Sequence, residues 1–320
     1  MRAPPANRRR IAVIYNPAAG RRGRSLLRRL LKRLREGGHE VLLRRTEAPG
    51  DATRIARALS PAEVDVVLAA GGDGTINEVA NGLIGRDLPL AAAPMGTANV
   101  LAWELGSGPR IDRAARTVSQ GATVRIRPAM AGARGFLLMA SAGLDARVVA
   151  GVDAGLKRRF GKAAYALAAL REILKPAAAD ILLEIDGQRE RAALAVVTHA
   201  AHYAGPFVIA PQARLGDAHL TVVLVRARSR LGLLRCGLAL VTNRIARCPL
   251  VDQRTARRVR FLDPEGEPVQ SDGDVIGRMP MEVAVGAEDL TLLVPDPRRV
   301  TACAPEEPTH ATALQRASSR

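Results

Sequence analysis

Hydrophobic positions in the first third of the chain alternate between short unbroken runs and helically spaced stripes. Residues 11–15 (Ile-Ala-Val-Ile-Tyr) form an apolar run closed by the turn signal Asn16-Pro17, which predicts a strand. Leu26, Leu27, Leu30, Leu31 and Leu34 then recur at helical spacing among Arg28, Arg29, Lys32, Arg33 and Arg35. Ser25 is placed to cap that helix and Gly37-Gly38 to stop it. The alternation continues as a strand at 41–43, a helix at 51–59, a strand at 65–70, a helix at 76–83, a strand at 90–93 and a helix near 98–105. Strands alternating with helices imply a parallel sheet.

After about residue 122 the pattern changes. Strands are expected at 124–126, 136–140, 181–185, 194–197, 220–225, 259–262, 281–285 and 290–294, separated mostly by turns, with helices at 163–174 and 231–246. The predicted fold class is therefore α/β: a Rossmann-like parallel α/β domain over 1–124, then a β-rich domain over 125–300, expected to be a β-sandwich. A polar tail over 301–320 is expected to fray. Ligands of such open sheets lie at the carboxyl ends of the strands, so the active site is expected in the cleft between the two domains.

Composition narrows the function classes. The chain has 320 residues, 48% of them hydrophobic, enough for real cores. Cys236, Cys248 and Cys303 show no Cys-x-x-Cys spacing, which argues against a disulfide scaffold or a zinc finger and for a reduced, cytosolic chain. The longest stretch without Asp, Glu, Lys or Arg, 192–213, is 22 residues long, but it holds His199, His202, Gly205, Pro206, Pro211 and Gln212 and reads as a buried strand followed by a loop. No apolar core follows the N-terminal charges, so a signal peptide is not expected. The net charge of +17 suits anionic lipid, nucleotide phosphates or nucleic acid. Eight aromatic residues, Trp103 and Phe160 among them, are too sparse for stacking platforms, so nucleic acid is not the expected partner. His199 and His202 lack a third ligand to accompany a metal and are read as polar residues at a cleft edge, and His39 as a turn residue.

One segment concentrates chemistry. Gly71-Gly72-Asp73-Gly74-Thr75-Ile76-Asn77-Glu78 sits where the third strand hands over to a helix. Three glycines in four residues let the backbone approach a ligand closely, and the helix behind offers free N–H groups to phosphate oxygens. Thr75 adds a hydroxyl, and Asp73 has the chemistry to hold magnesium or to accept a proton from an attacking hydroxyl. The plainer reading is a strand-to-helix turn with Asp73 as a helix cap. The segment is neither a Walker loop nor Gly-x-Gly-x-x-Gly.

It resembles the nucleotide loop of the diacylglycerol kinase catalytic-domain family, which includes sphingosine kinases and bacterial lipid kinases. The more distant NAD kinases and 6-phosphofructokinases share a Gly-Gly-Asp-Gly element. The resemblance runs from about residue 10 to 295, with its motifs in order. Asn16-Pro17-Ala18-Ala19-Gly20 is similar to the family's Asn-Pro-x-x-Gly turn near the nucleotide, Thr46 to a threonine that contacts ATP, and Pro94-Met95-Gly96-Thr97-Ala98-Asn99 to the third nucleotide segment. Gly143-Leu144-Asp145-Ala146 and the region 162–165 also fit. Pro211-Gln212-Ala213-Arg214-Leu215-Gly216-Asp217 resembles a loop that holds a structural magnesium ion, which implies backbone carbonyls from Arg214 and His219 and a carboxylate from Asp217. Asp272-Gly273-Asp274 resembles the Asp-Gly-Glu element, which implies Asp274 as the catalytic general base, with Asp73 either sharing that catalytic task or binding magnesium.

The departures are Val100 where an aspartate is common, Asp274 in place of glutamate, Gly216 and Ala218 around Asp217, and Arg127-Pro128-Ala129 in place of Asp-Leu-Gly. The resemblance implies an ATP- and magnesium-dependent kinase of a lipid hydroxyl. Such an enzyme would be cytoplasmic and would meet its substrate at the inner membrane face, with a homodimer left open. The alternatives are a kinase of a soluble acceptor such as NAD, a catalytically weak nucleotide-binding paralogue, and a non-catalytic basic module. Arg8, Arg9, Arg10, Arg21, Arg22 and Arg24 either face anionic headgroups or form a solvated face. For residues 231–251, with Arg235, Arg244 and Arg247, a packed amphipathic helix is preferred over membrane contact.

Overall fold

Runs that are apolar at every position become strands covered on both faces. The computed structural model describes residues 8–19, 22–152, 162–175 and 180–301, so Gly20, Phe160, Cys303 and the tail beyond Thr301 lie outside the described residues. The N-terminal part runs β1 (Arg10–Tyr15), α1 (Gly23–Glu36), β2 (Glu40–Arg45), α2 (Asp51–Ala58), β3 (Val66–Gly71), α3 (Asp73–Leu83), β4 (Leu90–Pro94), α4 (Val100–Glu104), α5 (Ile111–Gln120) and β5 (Ala122–Ile126). Strands β2, β1, β3 and β4 pair in parallel in that order. Side chains alternate across β1: Ile11, Val13 and Tyr15 pack under α1 and α5, while Ala12 and Ile14 face the layer holding α2 and α3. Leu27, Leu30 and Leu34 are the buried stripe of α1, and its arginines stay outside.

The rest of the chain adds β6 (Ala129–Ala131), β7 (Arg134–Phe136), β8 (Met139–Gly143), α6 (Leu144–Gly151), α7 (Lys162–Leu174), β9 (Ile181–Ile185), β10 (Gln188–Ala192), β11 (Leu194–Thr198), β12 (His202–Tyr203), β13 (Phe207–Val208), β14 (Leu220–Val225), α8 (Arg230–Val241), β15 (Val251–Ala256), β16 (Arg258–Asp263), β17 (Pro268–Ser271), β18 (Asp274–Arg278), β19 (Met281–Val285) and β20 (Leu290–Val294). Two six-stranded antiparallel sheets, ordered β10-β9-β16-β19-β6-β7 and β15-β14-β11-β8-β17-β18, enclose one apolar core between Phe136, Leu183 and Phe261 on one side and Ala140, Val197 and Val222 on the other. This is the expected sandwich.

Several local readings change. Helix α1 begins at Gly23, so Ser25 lies inside it and caps nothing, and α3 begins at Asp73 rather than Ile76. Residues 136–140 are split between β7 and β8, and α8 stops at Val241, followed by a separate 3-10 turn at Ile245–Arg247. Helices α5 and α6 and strands β6, β10, β12, β13, β15, β17 and β18 were not legible as elements. The boundary at 124/125 falls inside β5, and β20 leaves the sandwich to join the first sheet, parallel to β4 and antiparallel to β5. Thr301 is held, its N–H donating to the Leu215 carbonyl at 2.8 Å. A single apolar cluster runs from Ile14, Ile76 and Leu101 through Leu137 and Leu138 to Val196 and Ile209, so the two halves share a core. The uncharged stretch at 192–213 is β11 followed by the β12–β13 hairpin, and no described helix is long and apolar enough to cross a membrane.

Candidate active site

Parallel pairing places the loops after β1, β3 and β4 along one edge of the first sheet, where Tyr15 stands beside Ala70 and Gly71 beside Pro94. Asn16 ties two of them together: its Nδ2 donates to Thr75 Oγ1 at 2.9 Å, and its Oδ1 accepts from the Ala18 N–H at 2.9 Å. Pro17 is exposed beside it. The third loop is pinned by Asn99, left-handed at φ 50°, which accepts from the Gly96 N–H at 2.8 Å and donates to the Gly96 carbonyl at 2.9 Å. Thr97 is left exposed at its tip. Glycine is required where these loops meet, since a β-carbon on Gly96 would lie 2.5 Å from Gly72 Cα and one on Gly71 would lie 2.5 Å from Thr75 Cβ. Thr46, buried at the end of β2, completes the edge, its N–H donating to the Tyr15 carbonyl at 3.0 Å.

Not every residue of the glycine segment points into this edge. Glu78 Oε2 accepts from the Ala52 N–H at 3.2 Å and so holds the start of α2. Asn77 is buried one turn into α3, with Nδ2 lacking a partner among the described residues. Asp73 has a structural task as well: its Oδ1 accepts from the Leu101 N–H at 3.2 Å, and the N–H groups of Asn99 and Val100 also point to it. It therefore caps α4, a different helix from the one it begins. Burial outweighs these donors and holds its carboxyl above the usual range.

The β-rich half supplies the other wall. The hairpin between β17 and β18 carries Asp272-Gly273-Asp274 over the start of α3, so closely that a β-carbon on Gly74 would fall 2.9 Å from Asp274 Oδ2. Arg134 Nη2 lies 3.8 Å from the same oxygen. Asp272, left-handed at φ 49°, accepts from the N–H groups of Leu137 and Leu138, each at 3.2 Å, and of Met139 at 2.9 Å. Burial, aided by the neighbouring charge of Asp73, nonetheless pushes its carboxyl up to about 7.

A buried polar network sets this hairpin. Tyr203 donates its hydroxyl to Asp145, Ser141 donates to the same carboxylate, and Gln270 Nε2 donates to Ser141 Oγ at 2.6 Å and to Asp145 Oδ2 at 2.8 Å. Gln270 Oε1 then accepts from the Gly273 N–H at 3.0 Å. Burial lifts the Tyr203 phenol well above its ordinary value, so it stays a donor. The halves are also clamped by Asn81, whose Nδ2 and Oδ1 each bond the Gly135 backbone at 2.8 Å. Of these residues, only Asp145 and Gly273, with its neighbour Asp272, lay inside motifs legible in the sequence. Arg134, Tyr203, Gln270 and Asn81 carried no local signal, because each acts on a partner far away in the chain.

The loop with Arg214, Asp217 and His219 lies apart from this edge and closes on itself. Asp217 Oδ2 accepts from the Arg214 N–H at 2.9 Å, its Oδ1 accepts from Thr301 Oγ1 at 2.7 Å, and the Arg214 carbonyl accepts from the Asp217 N–H at 3.1 Å. Among the described residues no three His, Cys, Asp or Glu side chains gather to hold a metal. The Arg214 carbonyl and the Asp217 carboxylate, two of the three groups that the resemblance implies for a structural magnesium ion, thus belong to one turn, where each accepts a hydrogen bond. His199 is buried rather than at a cleft edge, and its desolvation pulls its pKa down to about 4. His202 Nδ1 meets Glu104 Oε2 at 2.7 Å, joining β12 to α4. Cys236 and Cys248 are buried as expected, Sγ to Sγ 3.8 Å.

Comparison with known proteins gives this arrangement a family. Residues 10–131 match the model of the diacylglycerol kinase catalytic domain, and residues 138–294 match that of the YegS C-terminal NAD kinase beta sandwich-like domain. The diacylglycerol kinase of Bacillus subtilis (strain 168) is 29% identical over 281 residues, covering 86% of this chain and 92% of that protein. The diacylglycerol kinase of Staphylococcus aureus (strain JH9) is 32% identical over 224 residues, covering 68% of this chain and 71% of that protein. In fold, the crystal structure of a diacylglycerol kinase from Bacillus anthracis str. Sterne superposes with a TM-score of 0.71 at 23% identity, over 91% of this chain and 98% of that one. The chain belongs to the diacylglycerol kinase family, and with it to the kinases.

Proposed function

We propose that the chain transfers the γ-phosphoryl group of ATP to a hydroxyl of a lipid such as diacylglycerol or a sphingoid-type lipid. The observation that carries this reading is Asp274 facing the glycine-rich start of α3, a carboxylate from one half set against an anion-binding helix end from the other. The loops at Asn16, Gly71–Thr75 and Gly96–Thr97 would hold the triphosphate. The lipid oxygen forms a bond to the γ-phosphorus, the bond from that phosphorus to the β–γ bridging oxygen breaks, and ADP leaves. Asp274 takes the hydroxyl proton, and Arg134 offers positive charge beside it. Magnesium, bound with the nucleotide, would neutralise charge on the phosphates. Magnesium typically uses one or two carboxylates plus phosphate oxygens, and the mutually repelling pair Asp73 and Asp272 fits that need.

Radiolabelled ATP incubated with a total lipid extract should place label in a lipid. Label found only in NADP would favour the soluble-acceptor reading, to which the description of the matched β-sandwich family lends support. Asp274→Asn should lower turnover about 10²–10⁴-fold with little change in ATP affinity. Unchanged turnover in that variant removes Asp274 from the role of base.

A further inference from the structure

Helix α8 is apolar apart from Arg230 and Arg235, close to the pattern expected of a helix covered on every side. Only its inner half is covered: Cys236 is buried, and Leu233, Ala239 and Leu240 pack on the shared core. Outside, Leu231 is 78% exposed, Leu234 46%, Leu238 67% and Val241 57%. At 3.6 residues per turn these four fall within roughly 80° of one another, a single stripe. Its neighbour α7 presents a second stripe, Leu167, Leu170 and Leu174, all exposed. Arg230 Nη2 donates to the Lys175 carbonyl at 3.4 Å and so joins the end of α7 to the start of α8.

The charge along the chain segment that carries the α8 stripe has one sign. Between Arg226 and Val251 there are six arginines and no Asp or Glu. Arg230 and Arg235 flank the α8 stripe on its two sides, and Arg235, Arg244 and Arg247 are exposed with no ion-pair partner among the described residues. Exposed leucines bordered by unpaired guanidinium groups match the boundary between acyl chains and anionic headgroups. A chain of polar contacts leads from this surface to the hairpin that carries Asp274. Arg147 on α6 lies 3.9 Å from Glu172 of α7 and 3.2 Å from Glu267 beside β17, and α6 carries Asp145 of the network that sets Gly273.

We infer that the outer faces of α7 and α8 dock the protein on an anionic lipid bilayer, leucines entering the acyl boundary and arginines meeting the headgroups. The inference rests on the lipid-kinase reading for its purpose, but its test does not pass through catalysis. Sedimentation without ATP would be measured with vesicles of phosphatidylglycerol mixed with phosphatidylcholine, and with phosphatidylcholine alone. The full chain should pellet with the mixed vesicles and far less with the neutral ones. Leu231→Asp combined with Leu238→Asp should weaken binding at least about tenfold. Arg235→Glu combined with Arg244→Glu, which leaves every leucine in place, should do the same, and it carries the test should the first pair fail to fold. Both pairs should keep ATP-dependent turnover on a detergent-dispersed short-chain diacylglycerol. Loss of that turnover in the unmodified chain would count against the kinase reading alone. Equal vesicle binding by the chain and both variants overturns the docking surface. So does indifference of the full chain to anionic vesicles, as does a dimer that the leucine variants convert to monomer without any effect of lipid.

Discussion

Two glycines of the site meet different obstacles, and the difference separates stability from turnover. A β-carbon on Gly96 would lie 2.5 Å from the Gly72 Cα, a backbone atom that cannot yield without reshaping both loops. Gly96→Ala should cost about 1–3 kcal/mol in overpacking and abolish ATP binding, read by thermal melting and by nucleotide titration. Gly74 faces only the end of the Asp274 side chain, at 2.9 Å, and that side chain is partly exposed and free to turn. Gly74→Ala should therefore leave stability unchanged or raise it by about 1 kcal/mol through helix propensity. Turnover should fall about 100-fold, because the carboxylate is displaced from its place over the helix. Asp272 makes a separate prediction through pH. Its carboxyl titrates near 7 in the folded chain against an ordinary value of 3.8, so over that span the unfolded chain releases a proton that the folded chain keeps. This contribution is whole below the ordinary value and is lost as pH rises toward 7, by at most about 1.4 kcal/mol per pH unit. Asp272→Asn should flatten the fall in unfolding free energy across that range, measured by urea titration, and an unaltered slope would place the effect elsewhere.

Elements were legible where one face of a regular period is filled by large apolar residues. Helix α1 offers five leucines at helical spacing, β1 is an unbroken run from Ile11 to Tyr15 after its first residue, and β3 is apolar throughout, so both types stood out in the sequence. Helix α5 buries Ile111, Ala114, Ala115, Thr117 and Val118, a correctly spaced face made mostly of small or polar residues, which carries almost no hydrophobic signal. Strand β10, Gln-Arg-Glu-Arg-Ala at a sheet edge, buries only Ala192, and β17 with β18 are short and polar because they present the hairpin to the cleft. The glycine turn could be read because its chemistry is local: consecutive residues build it. The opposite wall could be read only through Asp-Gly-Asp and the short motif around Asp145, since Asn81 with Gly135, or Tyr203 with Asp145, become neighbours only once the sandwich docks. Helix α8 shows the limit most plainly. Its leucine spacing announces a helix, but spacing alone does not say how much of a largely apolar surface the fold will cover, and here half of it faces outward.

At the scale of the whole molecule, the first sheet is completed by the last strand. Strand β20 bonds β5 along its full length and touches β4 at Leu292 beside Leu90, so β5 has no other partner in that sheet. Leu290, Leu292, Leu293 and Val294 are each at most 2% exposed. At about 1.5–3 kcal/mol for each buried aliphatic side chain, β20 contributes about 6–12 kcal/mol, comparable with the entire stability of a typical domain at about 5–15 kcal/mol. A chain stopped after Glu288 should therefore lose its N-terminal half as well as its last strand, whereas one stopped after Thr301 keeps the Leu215 and Asp217 bonds and should fold. Chains of this length often unfold in steps, but a shared sheet and a core running from Ile14 to Ile209 oppose separation of the halves. The lone Trp103, on α4, reports the N-terminal half by fluorescence, while far-ultraviolet circular dichroism reports both halves. In urea the two signals of the chain ending at Thr301 should superpose in one transition. Two separated transitions would mean that β20 is only a loose strap, and the cleft would then be free to open without unfolding either wall.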